Sequence, residues 1–116
     1  FLHGRADLDD TIKRLQAFDN AGADVLFAPG ISDPKSLATI CASVSRPVSL
    51  IAPADQTIQS LAAAGIRRIS LGPRLTQTAY WAVERAAREI LDKGTFGFAR
   101  DIVPFGDLQG LFTAKD

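Results

Sequence analysis

Three short apolar runs recur along the chain, "DVLFAPG" (Asp24–Gly30), "RPVSLIAPA" (Arg46–Ala54) and "IRRISLGP" (Ile66–Pro73), and each closes on Pro or a Gly/Pro pair. Their starts, at residues 24, 46 and 66, lie 22 and 20 positions apart. The segments between them carry apolar residues at helical spacing, so strand and helix alternate at a fixed period. Short, fully apolar strands separated by helices predict parallel βαβ packing.

The first helix is predicted to begin after Asp7, a capping carboxylate followed by more acid in the first turn. Leu8, Ile12, Leu15 and Phe18 form its apolar face. It ends at Ala21-Gly22, where glycine suits the left-handed C-terminal position. A second helix spans "SDPKSLATICASV", with Ser32 or Asp33 as cap, Pro34 at the first helical position, and Leu37, Ile40, Cys41 and Val44 as its buried stripe. A third, "DQTIQSLAAAG", stops on a second Ala-Gly pair. The fourth and longest runs from about Leu75 to Lys93, and a Gly- and aromatic-rich tail holds a short helix near Phe105–Phe112. No linker, charge block or low-complexity run divides the chain, so one domain over residues 1–116 is expected.

Composition narrows the function classes. Thirteen basic and thirteen acidic residues cancel, which argues against a nucleic-acid-coating surface or a polybasic membrane anchor. No apolar run approaches the roughly 18 residues of a membrane span. The lone cysteine, Cys41, forms no internal disulfide, so a reducing cytoplasm is the default expectation. The sequence starts at Phe1 and contains no methionine, which favours reading it as part of a longer protein.

In parallel α/β folds ligands bind at the carboxyl ends of the strands. Here those ends are Ala28-Pro29-Gly30, Ile51-Ala52-Pro53 and Leu71-Gly72-Pro73. They can shape a cavity and offer backbone groups, but they supply no nucleophile or base. Gly72, Pro73, Arg74 and Thr76, at a helix start, can contribute to an anion site, or can be an ordinary turn with a solvent-facing arginine. His3 reads as a lone surface or loop histidine, and Cys41 as core packing. Asp24 opens a strand at its amino end, away from any such site. Asp9-Asp10 and Glu84, Arg85, Arg88 and Glu89 have the spacing of caps and i,i+4 pairs. No zinc spacing, P-loop or nucleophile elbow is present in the sequence.

The run "DLDDTIKRLQAFDNAGADVL", followed by "RPVSLIAP", "AGIRRISLGP" and "AAREILDKGTFGF", resembles the isocitrate lyase/phosphoenolpyruvate mutase family. It is most similar to the 2-methylisocitrate-lyase-like or phosphonomutase-like branch. The resemblance implies α/β architecture, namely the C-terminal half of a (β/α)8 barrel from its fifth helix to its eighth helix and tail. It also implies a Mg2+-dependent enzyme that cleaves or forms a C–C or P–C bond beside a pyruvate-type enolate. The substrate would be a small carboxylate or phosphonate. The metal carboxylates, a Lys–Cys–Gly loop and a binding arginine would lie upstream of Phe1, so the chain alone is expected to be inactive.

Within the resemblance, the lyases' glutamate at the end of the sixth strand falls near Pro29, and the mutase's histidine near Ala28. Their seventh-strand asparagine falls within Ser49 to Ile51, while the proline of the eighth strand is kept as Pro73. The substrate-binding wall is therefore expected at Ala28, Pro29, Gly30, Ser49, Ile51, Gly72, Pro73 and Arg74, with no catalytic or metal-ligating residue in the chain. The family's last helix commonly joins subunits, which implies a homo-oligomer through the long helix bearing Tyr80 and Trp81. Two rivals remain: a non-catalytic half-barrel that self-associates through its open strand edges, and an open flavodoxin-like sheet, for which the first strand end lacks acidic or Gly-rich character.

Overall fold

A computed structural model describes residue 4 and residues 6–113 of the chain. His3 lies outside the described residues. The chain divides into two compact units, Phe1–Gly72 and Pro73–Asp116. In the first, helix α1 (Leu8–Asn20) leads to strand β1 (Leu26–Phe27), α2 (Pro34–Ala42), β2 (Val48–Ile51), α3 (Ile58–Ala63) and β3 (Arg68–Ser70). The strands form one parallel sheet in the order β1-β2-β3. The alternation expected from the apolar period is thus present.

Local chemistry sets the boundaries. Asp7 caps α1 by accepting from the Asp10 amide at 2.9 Å. Asp33, not Ser32, caps α2, accepting from the Ser36 amide and hydroxyl at 2.8 Å each, with Pro34 opening the helix. The third helix starts later than expected. Thr57 is its cap, in a reciprocal box with Ser60. The first strand is much shorter than the seven-residue run. Among the described residues it pairs with β2 alone, through the Leu26 and Ala28 amides, which bond the Pro47 and Ser49 carbonyls at 2.9 Å each, and the ladder stops where the chain turns at Pro29-Gly30.

Register separates two faces of the sheet. Leu26 pairs with Val48, Phe27 with Ser49, Ser49 with Arg68, Leu50 with Ile69 and Ile51 with Ser70. Because side chains alternate along each strand, Leu26, Val48, Leu50 and Ile69 share one face, and Phe27, Ser49, Ile51, Arg68 and Ser70 share the other. The first face carries the core, where Leu26, Val48 and Leu50 meet Leu15, Leu37, Ile40 and Leu61 from the three helices. Cys41 and Val44 pack at its margin. Burial pushes the Cys41 thiol above its ordinary pKa, partly offset by Arg67, as suits a packing cysteine. Phe18 departs from the expected stripe. It is 58% exposed and lines an apolar groove with Val25 and Phe27, along the free edge of β1.

At the amino ends of the strands, Asp19 ties α1 to the segment before β2. It accepts from the Ser45 amide at 2.6 Å and from the Ser45 hydroxyl at 2.8 Å, and Arg46 approaches within 3.8 Å. The Ser45 amide, then its hydroxyl, holds this carboxyl below the ordinary carboxylate range.

The second unit holds α4 (Arg74–Lys93), a 3-10 helix over Gly97–Asp101 and α5 (Phe105–Thr113). Helix α4 ends at Gly94, whose φ of +64° is the left-handed cap and whose amide bonds the Ile90 carbonyl at 3.0 Å. Of the expected ion pairs, Arg14–Asp10 and Arg88–Glu84 form, at 2.8 and 2.6 Å. Glu89 does something else. Its carboxylate accepts from the Thr95 hydroxyl at 2.7 Å and the amides of Gly97 and Phe98 at 2.5 and 3.0 Å, and so folds the 3-10 helix against the end of α4. A Cβ at Gly97 would stand 2.8 Å from that carboxylate, so the glycine permits the approach. No helix among the described residues is long and apolar enough to cross a membrane.

The Glu89 contacts carry a pH signature. The Thr95 hydroxyl first, then the Gly97 amide, lower its pKa from the ordinary 4.5. A depressed carboxyl stabilises its contacts above the unfolded value and loses that contribution as pH falls through the lower, folded one. Acid titration followed by NMR should therefore show the Gly97 and Phe98 amides shifting only below the ordinary glutamate range. Glu89→Gln should abolish that step, and a transition at or above 4.5 would contradict the assignment.

Candidate functional site

The carboxyl ends of the three strands bear only small or fixed residues. After β1, Pro29 is half-buried and Gly30 adopts φ +84°, a conformation open to glycine, before Ile31 returns to the core at 3% exposure. Ala28 belongs to the core cluster, so its side chain serves packing and not a cavity wall. After β2, Ile51, Ala52 and Pro53 are half-buried, and the Ala52 amide bonds the Ser70 carbonyl at 2.9 Å. After β3, Gly72 has φ +55° and its amide donates to the Ser70 hydroxyl at 3.2 Å. Pro73 and Arg74 begin the second unit. Pro73 is the N-cap residue of α4 without a side-chain cap bond, and Arg74 and Thr76 are exposed in its first turn.

Ser49 and Ile51 lie on the sheet face opposite the core, as a barrel lumen requires. Ser49 is fully buried at 0% exposure, flanked in register by Phe27 and Arg68, yet its hydroxyl has no hydrogen-bond partner among the described residues. Buried hydroxyls are normally paired, because an unpaired one costs its lost hydration. Ser49→Ala should raise stability by about 1–2 kcal/mol, since it removes an unsatisfied buried group. Urea denaturation measures this, and a loss of stability would mean that the hydroxyl is engaged after all.

Gln56 is the polar residue at this end that periodicity did not single out. Its side-chain amide donates to the Ser32 carbonyl and joins the turn after β2 to the turn after β1, while its Oε1 is buried without a partner among the described residues. A glutamine in a turn has no periodic signature, so nothing in the sequence marks it. Among the described residues no three of His, Cys, Asp or Glu gather as a metal site, and the three strand ends bear no carboxylate. These residues do not fit a divalent cation. Their small and fixed side chains leave backbone groups, the Ser49 and Ser70 hydroxyls and the Arg74 guanidinium as the polar groups at this end.

A family model described as phosphoenolpyruvate phosphomutase matches residues 1–91. An uncharacterized protein of Mycobacterium tuberculosis H37Rv is 31% identical over 109 residues, covering 94% of this chain and 41% of that protein. Oxaloacetate decarboxylase 2 of Pseudomonas fluorescens Pf0-1 is 34% identical over 93 residues, 78% of this chain and 31% of that protein. A crystal structure from Burkholderia cenocepacia J2315, provisionally described as a lyase/mutase, aligns with a TM-score of 0.88 at 44% identity, over 100% of this chain and 43% of that one. The chain spans well under half the length of each of these three proteins.

Proposed function

Because the chain belongs to the phosphoenolpyruvate phosphomutase family and its parallel strands and helices form part of a (β/α)8 barrel, we propose that it supplies one wall of a lyase or mutase site. The site acts on small 2-oxo acids or their phosphonate counterparts. The observation that carries this reading is the family match across residues 1–91, the stretch that holds all three strands and their chemically empty carboxyl ends. The relative named oxaloacetate decarboxylase favours a four-carbon 2-oxo diacid and C–C cleavage over P–C chemistry. In that reaction the bond to the departing carboxylate breaks and its electron pair enters the adjacent carbonyl. Carbon dioxide leaves, and the pyruvate enolate takes a proton at carbon.

This chain's residues serve that chemistry by exclusion. Pro29, Ile51 and Pro53 desolvate the ligand and keep water from the enolate before the intended proton arrives. The Mg2+ that the sequence resemblance implies would have to be held by carboxylates outside this chain. The test is an assay of the full-length protein with oxaloacetate and with a 2-oxo phosphonate, with added Mg2+ and with chelator. Pyruvate release that chelator abolishes supports the reading. Turnover by residues 1–116 alone would overturn the division of labour, and inertness toward both substrates would overturn the activity.

A second reading, a self-associating module, is favoured by the exposed apolar residues of α5, where Phe105, Leu111 and Phe112 are 73%, 73% and 84% exposed. The proposed homo-oligomer through α4, with Tyr80 and Trp81 exposed, draws on the same kind of surface. Light scattering of the 116-residue chain over a concentration series separates the two. A monodisperse, cooperatively melting dimer supports the module, and open-ended aggregation supports part of a barrel.

A further inference from the structure

We propose that Gln56 is a positioning residue of this site: its carboxamide fixes the spacing between the walls formed by the turns after β1 and β2, and so governs substrate affinity. The inference rests on the site reading above. Gln56 reaches 24 residues back along the chain to donate from Nε2 to the Ser32 carbonyl. Only the amine side of a carboxamide can face a carbonyl, so the orientation is fixed by chemistry. That leaves Oε1 buried and unpartnered among the described residues.

Both ends of this tie are anchored in the fold. On one side, Ile31 precedes Ser32 and is buried in the core, and Asp33 follows it as the cap of α2. On the other, Thr57 follows Gln56 directly and closes the reciprocal cap of α3. The residues proposed to face the site lie just upstream of these points, Pro29 and Gly30 before Ile31 in one turn and Pro53 before Gln56 in the other. Surface turns normally move independently. Here a single donor couples them, and its loss should widen the gap that a small ligand must span.

Two variants isolate the donor. Gln56→Glu keeps the shape and sets an acceptor against the Ser32 carbonyl; Gln56→Met keeps the bulk with neither donor nor charge. In the full-length protein both should raise KM for oxaloacetate roughly three- to tenfold and leave kcat within about twofold, the range of one neutral hydrogen bond. Both should also speed amide hydrogen exchange across residues 30–33 by a similar factor, with the circular dichroism spectrum unchanged. Unaltered exchange in both variants would overturn the tie, and a fall in kcat at constant KM would overturn its role in affinity. Should the wild type turn over no 2-oxo acid, the activity reading falls by itself, and the exchange result still decides whether Gln56 couples the turns.

Discussion

Gly65→Ala should destabilise the chain by about 2–5 kcal/mol, far more than the same change at Gly22. Both glycines end helices with positive φ, +97° at Gly65 and +91° at Gly22. A side chain in that region costs about 1–2 kcal/mol, and at Gly22 the new Cβ would meet nothing within 4 Å. At Gly65 it would stand 2.7 Å from the Cys41 Cβ and 3.2 Å from its sulfur. Overpacking of that kind adds about 1–3 kcal/mol, because a helix backbone must shift to relieve it. Urea denaturation of the two variants measures the difference. Adding Cys41→Ala to Gly65→Ala should restore only part of the loss, since the Cβ contact persists. Equal losses at Gly22 and Gly65 would mean that backbone conformation is the whole effect and the close packing of α2 on this turn is absent.

The same pair shows what the sequence discloses. Ala21-Gly22 and Ala64-Gly65 read alike as helix stops, and the structure places both where that reading puts them. That Gly65 is also pressed against Cys41 is a contact across 24 positions, which no local pattern encodes. The strand–helix period is legible because burial imposes it residue by residue. Strand length is less so. β1 is short because, among the described residues, it pairs with β2 alone, and pairing partners are a property of the assembled sheet. Phe18 sits on the right helical face, yet at the end of α1 that overhangs the edge of the sheet. Period gives the face of a helix; it does not give how far the core extends beneath it.

At the candidate site the small or fixed strand-end residues Pro29, Pro53 and Gly72 were readable from the sequence. The wall position of Ser49 came from the family resemblance, and only the register places it on the face opposite the core. Ala28 shows the converse. It stands at a strand end in the sequence, and its methyl belongs to the core. Gln56 and Glu89 were illegible for a shared reason. Each acts through one long side chain that reaches a backbone group in another segment, and that geometry exists only once both segments are folded.

Leu50→Ala should cost about 2–5 kcal/mol, the range for emptying a fully buried leucine site. Leu50 is 0% exposed at the centre of β2 and belongs to one cluster with Leu37 and Ile40 of α2 and Leu61 of α3. With α2 and α3 both packed in this cluster, there is little freedom to collapse into the void, which favours the upper half of that range. Its neighbours in sequence, Ser49 and Ile51, point the other way, so β2 carries the core on one face and the candidate site on the other. The two faces should therefore answer mutation with opposite signs. Leu50→Ala lowers the urea midpoint, and Ser49→Ala raises it. In the full-length protein well below its melting temperature, Leu50→Ala should also leave KM for oxaloacetate near the wild-type value, because the cavity opens toward the helices. If Leu50→Ala instead shifted KM while the midpoint held, the faces would be reversed, and with them the assignment of Ser49, Ile51 and the strand ends to the site.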